Sequence, residues 1–240
     1  MIVPPRVAVI GFPGSNGDHD AVHSLNHDVG VEAILVDYRD RTLDGFDAVV
    51  LPGGFSYGDA LRCGAIARFA PVMEPLKAFA DMGGPVLGIC NGFQVLTEAH
   101  LLPGALLRNK TLRFHCFQTQ LRVEPSISPW LSRCNAGERL TLPVAHGDGA
   151  YFVDEGTLAT LERQGQIALR YVGAEHQGAR SEENPNGSVA AIAGITNAQG
   201  NVFGLMPHPE RATNPLIGGV DGLRILSSLR DISVTKGIAS

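Results

Sequence analysis

Four short runs of this chain are apolar almost without interruption: Val7–Gly11 (VAVIG), Ala33–Val36 (AILV), Ala48–Leu51 (AVVL) and Val86–Ile89 (VLGI). A strand with one face in water alternates apolar and polar residues. A strand without that alternation must be covered on both faces, as in a parallel sheet sandwiched between helices. Segments with helical spacing lie between the runs, at Asp20–Val29, Ala65–Met82 and Phe93–Ala99. Strand and helix in alternation predict an α/β architecture with an open, mostly parallel, doubly wound sheet.

The middle of the chain changes character. Arg113–Glu124, Leu140–Ala145 and Ala150–Val153 read as strands joined by turns, and His146-Gly147-Asp148-Gly149 is a turn signal between two of them. This predicts a smaller antiparallel portion. Glu175–Gly187 (EHQGARSEENPNG) has almost no apolar content and reads as a surface loop. Val189–Thr196 and Val202–Met206 resume the buried-strand pattern. Asp221–Ser233 carries Leu223, Ile225, Leu226, Leu229 and Ile232 at helical spacing. Without repeats, low-complexity tracts or linkers, residues 1–240 read as one domain.

Composition removes several classes of function. With 44% hydrophobic and 18% charged residues the chain is too apolar for intrinsic disorder. A net charge of −5 argues against a surface built to neutralise phosphates, so no nucleic acid is expected as main partner. No apolar run approaches the roughly 18–20 residues of a membrane span, and Met1–Pro5 is too short for the apolar core of a signal peptide. The 4 cysteines show no C-x-x-C spacing and are too few for a disulfide scaffold. These readings lead to a cytoplasmic protein.

Three motifs carry chemistry. Pro85–Gln94 runs an apolar strand straight into Gly88-Ile89-Cys90-Asn91-Gly92 and then a helix, the G-x-S-x-G nucleophile elbow with Cys in place of Ser. Glycines two residues to either side let backbones approach closely at the sharp turn. Cys90 then sits at a helix N-terminus, where the macrodipole favours a negative nucleophile. In Met206-Pro207-His208-Pro209-Glu210-Arg211, the prolines hold an extended segment. Residues i and i+2 there share a face, so Glu210 can orient the His208 ring as the third member of a triad does. Leu51-Pro52-Gly53-Gly54-Phe55 also follows a buried strand, and its glycines suit an oxyanion hole of backbone N–H groups. All three lie at strand C-termini, the edge where open α/β sheets bind ligands.

The order of these motifs resembles that of the class I (triad) glutamine amidotransferases. Longer stretches resemble the glutaminase subunits of purine synthesis: Pro13–Asn16, Gly53–Asp59, Leu61–Ala67, Gly88–Gln94, Pro143–Gly147 and Gly204–Ala212. The resemblance runs from about Val7 to about Leu229. It implies a flavodoxin-like sheet, Cys90 as nucleophile, His208 as base and Glu210 as its orienter. It places Gly54 and Phe55 at the oxyanion, and Gly53, Asn91 and Gln94 on substrate glutamine. It further implies a synthetase subunit that uses the ammonia to convert formylglycinamide ribonucleotide into the amidine, and it admits a small accessory subunit. No cofactor is expected in this chain: neither phosphate-loop motif follows a strand here, so ATP and magnesium belong on the synthetase. Two departures stand out. Position 17 is Gly where many relatives carry Cys, and its distance in sequence from the triad implies no bearing on it. The polar stretch Glu175–Glu183 is longer than usual.

Other constellations read as ordinary surface or packing. His19, His23 and His27 fall on one helix face, but the outer two would be about 12 Å apart along the axis, too far for one zinc ion. No metal site is expected. Arg108, Lys110, Arg113 and Arg122 read as a solvated cluster. Two rival functions remain, a non-catalytic partner module and a free-standing cysteine hydrolase. The complete Cys90, His208 and Glu210 set disfavours the first. The late His-x-Glu pair and the long purine-synthesis motifs disfavour the second.

Overall fold

The structure is a computed structural model and describes residues 3–173 and 184–231. Its strands are β1 (Arg6–Gly11), β2 (Glu32–Asp37), β3 (Ala48–Leu51), β4 (Val86–Ile89), β5 (Ala105–Leu107), β6 (His115–Val123), β7 (Arg139–His146), β8 (Ala150–Phe152), β9 (Ile167–Val172), β10 (Ile192–Thr196) and β11 (Val202–Leu205). The α-helices are α1 (Asp18–His23), α2 (Met73–Asp81), α3 (Asn91–Glu98), α4 (Glu155–Arg163) and α5 (Gly222–Leu226). Nine strands form one sheet in the order β2-β1-β3-β4-β11-β10-β9-β6-β7, while β5 and β8 form a separate ribbon. From β2 to β11 every neighbouring pair is parallel; from β11 to β7 every pair is antiparallel.

The four apolar runs fall in β1 to β4, and β3 and β4 are buried at every position. The parallel and antiparallel portions are therefore one continuous sheet rather than two layers. In β7 burial alternates strictly, with Leu140, Leu142, Val144 and His146 inward. That period of two places a histidine on the apolar face.

Several elements depart from the sequence reading. The helix expected over Ala65–Met82 is α-helical only from Met73. Pro71 forces the residue before it out of the helical region, and Ala70 is extended at φ −61°, ψ 145°. Pro75 is tolerated because it lies in the first turn of α2. The helix expected over Asp20–Val29 is α-helical through His23 and a π-helix over Ser24–Val29. The strand expected from Val189 begins at Ile192, after a 3₁₀ turn in which Ala190 and Ala191 take left-handed φ. β5, α4 and β9 have no counterpart in the sequence expectations, although Asp154 caps α4 by accepting from the Thr157 N–H at 2.8 Å. α5 ends at Leu226 and helical backbone resumes over 228–231. The rest of the helix expected to Ser233, and residues 175–183 of the expected polar loop, lie outside the described residues.

Candidate active site

Three adjacent parallel strands, β3, β4 and β11, deliver the three sequence motifs to one sheet edge. Their registers align Leu51 with Gly88 and Leu205 with Ile89. Gly53, Cys90 and His208 therefore follow neighbouring strand ends and converge.

Cys90 holds φ 50° and ψ −104°, a strained conformation for a residue with a Cβ. The surroundings enforce it. The Cys90 N–H donates to the Leu205 carbonyl at 2.8 Å. A Cβ on Gly92 would fall 2.0 Å from the Leu51 carbonyl oxygen, and one on Gly88 would fall 2.5 Å from Leu96 Cδ1. Only glycine fits at either place, which is the physical content of the G-x-C-x-G pattern. The Cys90 sulfur is 3.7 Å from the Ala145 carbonyl oxygen at the end of β7.

His208 is fixed through its backbone, its N–H donating to the Pro143 carbonyl at 2.8 Å. Its Nδ1 lies 2.7 Å from Glu210 Oε1, and both residues are buried. The i and i+2 positions do share a face. Burial pulls the imidazole's pKa down, but the Glu210 carboxylate and then the Cys90 sulfur outweigh it and push it up to about 10. Nε2 of His208 has no hydrogen-bond partner of its own. A Cβ on Gly53 would lie 2.7 Å from His208 Cε1 and 3.7 Å from Cys90 Cβ, so Gly53 fills the notch between Cys90 and His208. On the outer side, Arg211 Nε is 3.9 Å from Glu210 Oε1 and 3.0 Å from Asp20 Oδ2.

The Gly53–Phe55 loop is held differently from the expected oxyanion geometry. The Phe55 N–H donates to the Gly14 carbonyl at 2.9 Å, so in this conformation it is not directed at a substrate. Gly54 at φ 153° packs against the neighbouring loop, where a Cβ would lie 2.7 Å from Ser15 Cα. Asn91 opens α3, and its first-turn N–H has no partner within the helix, a second donor beside Cys90. Asn91 and Gln94 are buried and form a frame. The Asn91 amide donates to Gln94 Oε1 at 2.8 Å, and Gln94 Nε2 donates to the Asp148 carbonyl at 2.6 Å.

Two corrections concern position. Gly17, expected to be remote, donates its N–H to the Gly53 carbonyl at 3.0 Å and packs directly on that residue. His146, expected as part of a turn and of the resembling stretch Pro143–Gly147 but given no role, is buried beside Cys90 and His208. Burial, followed by the charges of His115 and His208, pulls its pKa down to about 3. The alternation of β7 carried the signal for its burial. Nothing in the sequence links it to Asn109, which bonds it from 37 residues away. His19, His23 and His27 are exposed, with the last two rings tilted at 43° and their centroids 4.5 Å apart.

Residues 4–218 match the family model of the CobB/CobQ-like glutamine amidotransferase domain. Among similar proteins is the phosphoribosylformylglycinamidine synthase subunit PurQ of Rubrobacter xylanophilus. It is 58% identical over 224 residues, covering 93% of this chain and 97% of that protein. The subunit of the same name from Thermomicrobium roseum is 54% identical over 229 residues, covering 95% and 97%. Among solved structures, a chain in the structure of PurLQS from Thermotoga maritima superposes with TM-score 0.84 at 41% identity, covering 95% of this chain and 99% of that one. The crystal structure of another glutamine amidotransferase from Thermotoga maritima, at TM-score 0.57 and 16% identity, covers 98% and 99%; it shares the fold.

Proposed function

Since the chain belongs to the CobB/CobQ-like glutamine amidotransferase family, we propose that it is the glutaminase subunit of phosphoribosylformylglycinamidine synthase. It hydrolyses L-glutamine and hands the ammonia to a synthetase subunit, which makes formylglycinamidine ribonucleotide from formylglycinamide ribonucleotide and ATP in purine synthesis. The observation that carries the chemistry is the convergence of a strained, glycine-flanked Cys90 with a buried His208–Glu210 pair on three adjacent strand ends.

The steps follow from the geometry. The Cys90 thiolate attacks the carboxamide carbon of glutamine, and the tetrahedral oxyanion takes hydrogen bonds from the backbone N–H of Asn91 and, once the Gly53–Phe55 loop has released Gly14, from that of Phe55. His208, cationic between Glu210 and the sulfur, gives its proton to the departing nitrogen. Ammonia leaves and a γ-glutamyl thioester remains on Cys90. The now neutral His208 takes a proton from water, the hydroxide displaces the sulfur, and glutamate leaves with the ion pair restored. Glu210 holds the ring and stabilises its charged form.

ATP and its magnesium act on the synthetase; the turns at the strand ends of this chain carry no phosphate-loop pattern. Among the described residues no helix is long and apolar enough to cross a membrane. The cytoplasm is the site of reaction, in keeping with four cysteines that are all free. The test is glutamate release by the chain together with its synthetase and nucleotide substrates, before and after a thiol-trapping glutamine analogue. Covalent capture at Cys90 with parallel loss of both glutaminase and amidine synthesis is expected. Capture elsewhere, or amidine synthesis from glutamine that survives it, would refute the assignment.

A further inference from the structure

The turn that follows β7 is bolted down by one side chain. Asn109 is fully buried. Its backbone N–H donates to the Gly147 carbonyl at 2.8 Å. Its amide nitrogen donates to the Arg113 and His146 carbonyls, each at 2.9 Å. Its amide oxygen accepts from the Gly149 N–H and faces His146 Nδ1, each at 3.0 Å. Every hydrogen-bonding position of the side chain is filled.

This saturation decides two things. Both amide hydrogens lie on carbonyl oxygens, so the amide cannot be turned round without losing all of its bonds. The oxygen can only accept, so the hydrogen of the neutral His146 ring must be on Nδ1. Nε2 is then a bare lone pair, buried and without a protein partner. From the other side Asn186 Nδ2 donates to the Gly149 carbonyl at 2.7 Å, so the turn cannot drift. The same turn presents the Asp148 carbonyl to Gln94. The residue before His146 places its carbonyl against the Cys90 sulfur. The titratable groups around the ring are His115, with ring centroids 6.0 Å apart, and His208.

We propose that Asn109 is a positioning residue of the glutaminase site. It clamps the His146–Gly149 turn against Gln94 and locks His146 as the Nδ1–H tautomer, keeping a neutral acceptor beside the triad. A second cation there would oppose the His208 imidazolium that the reaction requires. Asparagine is the one side chain of this size that donates twice, accepts twice and brings no charge. The functional half rests on the glutaminase reading; the tautomer does not.

The experiment pairs two measurements on the full chain with its synthetase. Nitrogen-15 NMR of histidine-labelled wild type is expected to show His146 with a protonated Nδ1 and an unprotonated Nε2, without titration between about pH 6 and pH 9. Asn109→Asp keeps the shape but removes both donors and adds a charge. The variant is expected to raise KM for glutamine by about tenfold or more, with a smaller change in kcat, and to make His146 titrate in that range. A wild-type His146 protonated on Nε2 would overturn the proposal even if the variant failed to fold. So would a folded variant whose KM stays within about twofold of wild type. A wild-type complex that releases no glutamate would instead overturn the underlying reading, with the tautomer result unaffected.

Discussion

Two glycine-bearing turns leave adjacent parallel strands at the same edge of the sheet, and they are held in opposite ways. The Gly88–Gly92 turn is locked from within. Its glycines press on Leu51 and Leu96, and the Cys90 N–H is tied to β11. The Gly53–Phe55 turn is held from outside by the 13–17 loop, which accepts from the Phe55 and Tyr57 N–H groups and donates to the Gly53 carbonyl. It runs on into Tyr57, Asp59 and Leu61, all with left-handed φ between 53° and 69°. Backbone strain of this kind persists only where surrounding contacts impose it. The Cys90 turn is therefore built in advance, whereas the Phe55 N–H, the proposed oxyanion donor, needs a local rearrangement to leave Gly14.

The largest effect falls on the locked turn. Cys90→Ala should abolish glutaminase activity while stability changes by no more than about 1–2 kcal/mol, because the sulfur adds little packing. Glutamate release by the alanine variant would remove Cys90 as nucleophile and with it one side of the comparison.

Next comes the carboxylate. Glu210→Gln should lower kcat by about 100- to 10,000-fold, less than Cys90→Ala, since the orienting member of a triad is the least costly to lose. The pair should also mark the pH dependence of stability. His208 is raised from 6.5 to about 10 in the folded chain. Its stabilising contribution is complete below about 6.5 and is lost as pH rises through about 10. In Glu210→Gln that decline should shrink, as measured by denaturant unfolding across the range. An unchanged alkaline profile would mean that the ion pair does not govern it.

The externally held turn predicts dependence on the partner. With the Phe55 N–H on Gly14, the isolated chain lacks one oxyanion donor, a loss of about 100- to 1,000-fold in turnover. Adding synthetase and its nucleotide substrates should restore it by that factor. The face that would meet the partner is the strand-end edge over 53–62, 147–151 and 211–214, where ammonia leaves. Full activity of the chain alone would show the two turns to be equally ready.

The sequence exposed what depends on local spacing and hid what depends on convergence. Uninterrupted apolar runs disclosed β1 to β4, and the glycines around Cys90 disclosed an elbow, because close backbone approach forbids side chains at those places. Over Ala65–Met82 the helical spacing continues through Pro71, whereas the backbone at Ala70 cannot follow. Asn109 gives no signal, and Gly17 stands out only as a departure from relatives, with nothing to tie it to the site. Each matters through a contact across tens of residues.

The smallest effect probes how much play the external clasp allows. Gly17 has φ −98°, so no backbone rule demands glycine. A Cβ there would lie 3.2 Å from the Gly53 nitrogen and 3.3 Å from its carbonyl oxygen, tighter than ordinary contact but not an overlap. The neighbour must yield by a few tenths of an ångström, and that neighbour is the loop that separates Cys90 from His208. If the loop is as pliable as its external fastening implies, Gly17→Ala folds normally and changes kcat by about threefold, or about 0.6 kcal/mol in the barrier. The same substitution at Gly92, where the overlap is with the backbone of β3, should destabilise the fold by about 3 kcal/mol or more. Thermal unfolding and steady-state kinetics of the two variants separate the cases. A Gly17→Ala protein as unstable as Gly92→Ala would mean that the oxyanion loop is locked as firmly as the elbow, and partner activation would then need a cause other than its movement.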